Sequence, residues 1–249
     1  MKILATYNIK GGVGKTAAAV NLSWMAASEG YPTLVWDLDP QGAASFYFRI
    51  KPKLKGGSKG LIKGKHELDV LIKGTDFENL DLLPADFSYR HLDLLLDDQK
   101  KPTRQLGKLL KPLETDYDYI ILDCPPSISL VSEAVFQAAD ALLVPMIPTT
   151  LSLRTLQQLL RFQKQKELES LRIMPFFSMV DRRKKLHQQI VDELPKQYFN
   201  VLETEIPYSS DVEQMGLHRA PLGSYVTKSR SKIAYDSLWQ EIHQRLQGF

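Results

Sequence analysis

A loop of nine residues, Asn8-Ile9-Lys10-Gly11-Gly12-Val13-Gly14-Lys15-Thr16, constrains the fold more than any other stretch of this sequence. The apolar run before it, Ile3 to Tyr7, reads as a buried strand, and Ala17 to Glu29 reads as a helix. Strand, glycine-rich turn and helix form the frame of a phosphate-binding loop. Its three glycines let the backbone turn tightly and aim N–H groups at an anion with no Cβ atoms in the way. The start of the following helix adds free N–H groups and the positive end of its dipole. In such a loop Lys15 reaches the β- and γ-phosphates of a nucleotide, and Thr16 sets its hydroxyl on Mg²⁺. The general pattern has a glycine five residues before Gly14; here Ile9 stands there, and a second lysine, Lys10, opens the loop instead.

The rest of the chain alternates strands with helices. Thr33 to Trp36, Leu80 to Pro84, Tyr119 to Asp123, Ala141 to Ile147, Arg172 to Val180 and an extended segment from Val201 to Pro207 read as strands. Helices are expected over residues 67–72, 87–97, 104–113, 152–168, 184–194 and 232–246. In the last of these, Ile233, Leu238, Ile242 and Leu246 repeat as a core-facing stripe; in 87–97, Phe87, Leu92, Leu94 and Leu95 share a helical spacing. Residues 51–66 hold six lysines, four glycines and no acidic residue between Lys51 and Lys65, and read as a mobile basic loop, either a solvated spacer or a binding surface. Alternation from end to end predicts an α/β fold: one doubly wound domain over 1–249, a mostly parallel sheet with helices on both faces.

Composition narrows the setting. There is one cysteine, Cys124, which can form neither an internal disulfide nor a four-thiolate metal site, so a reducing compartment is expected. The N-terminus runs straight into a strand without a signal peptide, and no apolar run approaches the roughly 18 residues of a membrane span. A cytoplasmic protein is expected. The net charge of +3 is too small to identify a partner by itself.

In folds of this kind ligands bind at the carboxyl ends of the strands, where Lys10, Asp37, Asp39 and Asp123 all stand. Asp123, ending four apolar residues, has the form of a Walker B aspartate able to hold Mg²⁺ through water. Asp37 and Asp39 are two apart, so in extended geometry they face the same way. Two carboxylates beside a triphosphate suggest that one supports the metal's water shell and the other positions the attacking water. Arg182, Arg183, Lys184 and Lys185 cluster at a helix start, the less favourable end for cations. Contact with nucleic-acid phosphates is one reason for such a cluster, and a solvated charged surface is the alternative. Lys228, Arg230 and Lys232 form a second cluster.

Lys10-Gly11-Gly12-Val13-Gly14-Lys15-Thr16 resembles the deviant Walker A loop of the ParA/MinD family of ATPases, P-loop proteins. Asp37-Leu38-Asp39-Pro40-Gln41-Gly42 and Asp123-Cys124-Pro125-Pro126-Ser127 resemble two further motifs of its ParA-type members. By that resemblance ATP and Mg²⁺ are the cofactors. Lys10 through Ala17 line the nucleotide, Lys10, Lys15 and Asp39 are catalytic, and Thr16, Asp37 and Asp123 serve the metal. Asp39 positions the water, and Lys10 reaches across to the phosphates of a second subunit, which implies an ATP-dependent homodimer. Ile206-Pro207 resembles the loop bordering the adenine, and the segment from Met179 to Leu186 resembles one carrying a DNA-contacting arginine, best matched by Arg183, away from the nucleotide. An arginine the family often has after that proline is Tyr208 here. The resemblance implies non-specific binding to nucleoid DNA, a ParB-like partner that stimulates hydrolysis, and segregation of a plasmid, chromosome or other large cargo. A MinD-like membrane role is the alternative; the last helix, with Trp239 beside its apolar stripe, reads as core packing, so no membrane partner is expected. A metal-cluster relative is disfavoured by the single cysteine, and a non-hydrolysing adaptor by the presence of both Lys10 and Asp39.

Overall fold

The computed structural model describes residues 1–64 and 68–247. Its centre is one eight-stranded sheet. The chain runs β1 (Lys2–Thr6), α1 (Lys15–Ser28), β2 (Thr33–Asp37), then three short helices, α2 (Ala43–Tyr47), α3 (Gly57–Ile62) and α4 (Leu68–Leu71). A two-residue β3 (Lys73–Gly74) and β4 (Leu80–Leu83) lead to α5 (Leu92–Asp97) and α6 (Gln105–Leu110). Then β5 (Tyr119–Asp123), α7 (Leu130–Ala138), β6 (Ala141–Met146), α8 (Thr150–Gln165), β7 (Arg172–Val180), α9 (Lys185–Gln197) and β8 (Glu205–Pro207) follow in strict alternation. Three single-turn helices, α10 (Ser210–Glu213), α11 (Met215–His218) and α12 (Leu222–Tyr225), precede α13 (Arg230–Gln247).

The strand order is β3-β4-β2-β5-β1-β6-β7-β8, parallel throughout except where β3 meets β4. Side chains alternate across each strand, and the two sets enter two separate cores. Ile3, Ile120, Leu122, Leu142 and Val144 join one cluster, and Leu4, Tyr119, Ile121, Ala141 and Leu143 join the other. The first cluster is closed by α3 to α9, the second by α1, α2 and α11 to α13. Both sheet faces are therefore covered, as a parallel sheet requires. β1 lies in the middle and its successors depart to either side, which places a crevice at the carboxyl ends of β1, β2 and β5.

Several elements depart from the sequence reading. Within the stretch expected to be a mobile loop, 57–62 is helical and anchored: Leu54, Leu61 and Ile62 are buried, the Leu54 N–H donates to Asp86 Oδ2 (2.8 Å), and the Ser58 N–H donates to Ser88 Oγ (2.7 Å). Lys65 and His66 lie outside the described residues, as does Glu67 at the start of the helix expected over 67–72. The expected helix over 87–97 is a 3-10 turn followed by α5; Leu92 and Leu96 point inward, whereas Phe87 and Leu94 are exposed. The helix expected over 104–113 is confined to α6 between two 3-10 turns. α7, which the pattern reading passed over, is capped by Ser129 and Ser132, each side chain bonding the other's backbone.

On α13 the inward stripe is Tyr235, Leu238, Trp239, Ile242 and Leu246; Ile233, expected on it, is 61% exposed. Leu238→Ala should therefore destabilise the protein by about 2–5 kcal/mol through the cavity it leaves. Ile233→Ala should stay within about 0.5 kcal/mol. Urea unfolding of the two variants checks the assignment, and equal losses would contradict it.

Candidate nucleotide and cation site

The loop between β1 and α1 is held by its first residue. Asn8 is buried; its Nδ2 donates to the Pro145 carbonyl at the end of β6 (2.8 Å), and its Oδ1 accepts the Lys10 N–H (3.0 Å). One side chain thus ties the loop to the neighbouring strand and fixes where it turns. Gly12 and Gly14 have φ of 70° and 94°, the left-handed region that disfavours a Cβ. A Cβ on Gly14 would also lie 2.9 Å from Ser178 Oγ on β7, which would have to turn aside. α1 starts at Lys15 with no side-chain cap and no acidic residue in its first turn, leaving its N-terminal N–H groups for an anion.

Lys15 is 7% exposed and curls back over the loop, donating from Nζ to the Lys10 carbonyl (3.0 Å). Burial lowers its pKa, and the charges of Asp123, Cys124 and Asp39 oppose that shift. The Lys10 side chain is half-exposed and enters no ion pair among the described residues.

Parallel pairing of β2 with β5 sets Asp37 directly opposite Asp123, and β1 sets Thr6 opposite Asp123 from the other side. Both aspartates are completely buried. Each has one satisfied and one orphaned oxygen: Asp37 Oδ2 accepts from the Ser45 N–H (2.7 Å) and Oγ (2.8 Å), and Asp123 Oδ1 accepts from Thr6 Oγ1 (3.2 Å). Among the described residues Asp37 Oδ1 and Asp123 Oδ2 have no partner. Burial pushes both carboxyls above their usual range; the charge of Asp37 adds to the effect on Asp123, and hydrogen bonds from Ser45 oppose it on Asp37. The nearby Thr16 hydroxyl favours the ionised form of Asp123 and so opposes the rise. Two hard oxygen donors, side by side and desolvated, suit a magnesium-type ion held through water.

Asp39 stands on the turn after β2 rather than within the strand, half-exposed, its Oδ1 accepting the Gln41 N–H (2.9 Å). Its charge still acts on Lys15, Asp37 and Asp123. The loop, both aspartates of the Asp37–Asp39 segment and Asp123 therefore converge.

Pro207 and the arginines of the basic cluster meet elsewhere. β7 pairs with β8 so that Val180 stands opposite Pro207. Residues 181–183 then share with Pro207, Tyr208 and Ser231 a groove of about 440 Å³. Arg183, expected away from the nucleotide, lines the same groove as Pro207, because strand pairing brings together residues far apart in sequence. It makes a two-pronged contact with Asp181 (2.9 and 3.0 Å), which holds that carboxyl down at about 2. Arg182 pairs with Glu205, while Lys184 and Lys185 are exposed and outside any ion pair among the described residues. Two of the four cations expected to face DNA are thus already neutralised within the chain.

The raised carboxyls make stability depend on pH. Their native pKa values exceed the unfolded value of 3.8, so the native state holds more protons between the two. Stability is full below the unfolded value and is lost as pH rises through the native values. In EDTA, the protein should lose stability from mildly acidic to mildly alkaline pH, and Asp123→Asn should flatten the loss. Urea titrations across that range check this; an unchanged slope in the variant would refute it.

A family model described as an AAA domain matches residues 1–173. The chain is 32% identical to the sporulation initiation inhibitor protein Soj of Bacillus subtilis, over 97% of this chain and 98% of that one. It is also 32% identical to the chromosome-partitioning ATPase Soj of Treponema pallidum, over 98% of each. A solved structure of cobyrinic acid a,c-diamide synthase from Mycobacterium smegmatis, with bound ATP analogue and magnesium, superposes with a TM-score of 0.83, at 26% identity, over 100% of this chain and 96% of that one. With a deviant phosphate loop in its strand-to-helix frame, two buried strand-end aspartates and full-length likeness to Soj proteins, the chain belongs to the ParA/Soj family of P-loop ATPases.

Proposed function

We propose that this protein is an ATP-dependent dimerising ATPase that binds DNA without sequence preference and moves or spaces a chromosome, plasmid or other large cargo. A partner protein would stimulate its hydrolysis. The observation that carries the ATPase part is the pair of orphaned buried oxygens, Asp37 Oδ1 and Asp123 Oδ2, beside Lys15 and Thr16. The related synthase bound to an ATP analogue and magnesium supports the same ligands here. Lys10 through Ala17 would cradle the nucleotide phosphates, and Thr16, Asp37 and Asp123 would hold the hydrated ion. Bound there, Mg²⁺ would bridge and neutralise phosphate oxygens.

The roles of the two neighbouring aspartates divide with their burial. Asp37, inside the sheet, is placed to serve the ion; Asp39, half-exposed on its turn, is placed to orient a water. Lys10 has a free, half-exposed side chain at the loop's outer edge, suited to a second subunit's phosphates in a two-fold dimer. For DNA, Lys184 and Lys185, with Lys228 and Arg230, offer exposed cations, and Arg183 would have to leave Asp181 to join them. Nucleoid association would follow from such contacts. The membrane reading is not supported by α13, whose apolar face is spent on the core. Among the described residues no helix is long and apolar enough to cross a membrane.

Asp39→Ala should bind ATP with Mg²⁺ yet hydrolyse it at least about 100-fold more slowly, and collect as an ATP-bound dimer. Lys10→Ala should keep the monomer's nucleotide affinity and lose dimerisation or turnover. Sedimentation and phosphate release with ATP and Mg²⁺ measure both; normal turnover in a monomeric Asp39→Ala protein would sink the assignment.

DNA binding should require ATP and weaken steeply with salt, because phosphate contacts release counterions and a dimer presents its cations twice. Arg183→Glu should abolish it while sparing ATP-driven dimerisation. Since Arg183 shares its groove with Pro207, nucleotide affinity must be measured alongside the mobility shift. A variant that shifts DNA as wild type does would remove Arg183 from the interface.

A further inference from the structure

Two hydroxyls that the nucleotide-loop motifs do not include hold the carboxylates in place. Thr6 is the one polar side chain in the strand Lys2–Thr6 to be fully buried, and its Oγ1 lies 3.2 Å from Asp123 Oδ1 and 3.5 Å from the Leu122 carbonyl. The shorter contact is the better hydrogen bond. Ser45, also fully buried, is bonded on both sides: Oγ donates to Asp37 Oδ2 (2.8 Å) and accepts the Ala85 N–H (3.0 Å), while its own N–H donates to the same Asp37 oxygen (2.7 Å). The arrangement is matched on the two strands. Each aspartate has one oxygen fixed by a hydroxyl and the other left free, at Asp37 Oδ1 and Asp123 Oδ2.

A carboxylate rotates about its Cβ–Cγ bond at little cost, so burial alone does not decide which oxygen faces the loop. A hydrogen bond to one oxygen does. Partners behind a metal-binding group orient it and raise or lower its affinity for the ion. We propose that Thr6 and Ser45 are paired positioning residues that pin Asp123 and Asp37, so that the two free oxygens stay fixed for a hydrated divalent cation at the nucleotide. Ser45 further links this device to the end of β4 through Ala85, so Asp37 is set by the neighbouring strand as well as by its own. The inference rests on the nucleotide and cation reading given above and adds to it two residues outside the phosphate loop.

The test reads binding rather than turnover. A fluorescent, non-hydrolysable ATP analogue is titrated onto the full chain in EDTA and then across a series of Mg²⁺ concentrations. Thr6→Val, which keeps the shape and removes the hydroxyl, should leave affinity in EDTA unchanged and raise the Mg²⁺ needed for half-maximal enhancement by about 10- to 100-fold. Thr6→Ser should restore it. Ser45→Ala should act in the same direction and Ser45→Thr should restore it; because Ser45→Ala also strands the buried Ala85 N–H, the two Thr6 variants decide the matter if that variant fails to fold. A purely structural role would change both titrations together or neither. Wild-type Mg²⁺ dependence in Thr6→Val would overturn the proposal while leaving the site reading intact. Absence of Mg²⁺-enhanced binding in the wild-type protein would overturn both.

Discussion

Asp37 and Asp123 lie opposite one another on adjacent parallel strands, deep enough that water reaches neither. Such a pair opposes folding. Each buried carboxylate forfeits several kcal/mol of hydration unless compensated, and proximity adds repulsion, so both are pushed toward the protonated form. Lys15 is the nearby cation, but it too is desolvated and spends its ammonium on the Lys10 carbonyl. The remainder of the fold must hold this arrangement in register. It does so with two apolar layers, one on each sheet face, whose strand residues alternate between them with no polar side chain in the central rows of β5 or β6. The loop is then fastened to β6 by Asn8 and pressed against β7 at Gly14, which fixes the phosphate end relative to the carboxylates.

What the sequence shows most clearly is whatever depends on neighbours within a few residues. The phosphate loop needs glycine at fixed offsets, and strand ends betray themselves by an acid after an apolar run, so Lys15, Thr16, Asp37, Asp39 and Asp123 are all visible. The alternation of strands and helices gives the sheet's class for the same reason. What it hides is whatever depends on strand pairing. Thr6 looks like one residue of an apolar strand until β5 is set beside it, and nothing local marks Ser45 until α2 brings its N–H and hydroxyl onto the Asp37 carboxylate. The only local signal was a hydroxyl where burial predicts hydrocarbon.

Composition misleads in a different way. The lysines of residues 51–63 suggest a solvated loop, yet three apolar residues among them, Leu54, Leu61 and Ile62, suffice to seat the segment on the core with the lysines turned outward. Phe87 and Leu94 show the converse, apolar residues that the actual helix boundaries leave facing solvent, and Ile233, five residues from Leu238, falls on the outer side of α13 although the helix forms where expected. Periodicity specifies a face only once the start of the helix is known, and a 3-10 turn ahead of α5 was enough to rotate the expected stripe.

The groove beside Pro207 joins two expectations that the sequence kept apart. Val180 pairs with Pro207, and the chain leaves β7 directly into Asp181, Arg182 and Arg183, so a residue expected at the base of a nucleotide and residues expected on a DNA surface become neighbours. Arg183 is held by Asp181 through two hydrogen bonds, but the guanidinium stands almost wholly in solvent, where water and salt leave an ion pair little net strength. Exchanging that carboxylate for a nucleic-acid phosphate therefore costs little in the protein. Asp181 lines the same groove as Pro207, so the acid that holds Arg183 sits beside the residue expected at the nucleotide.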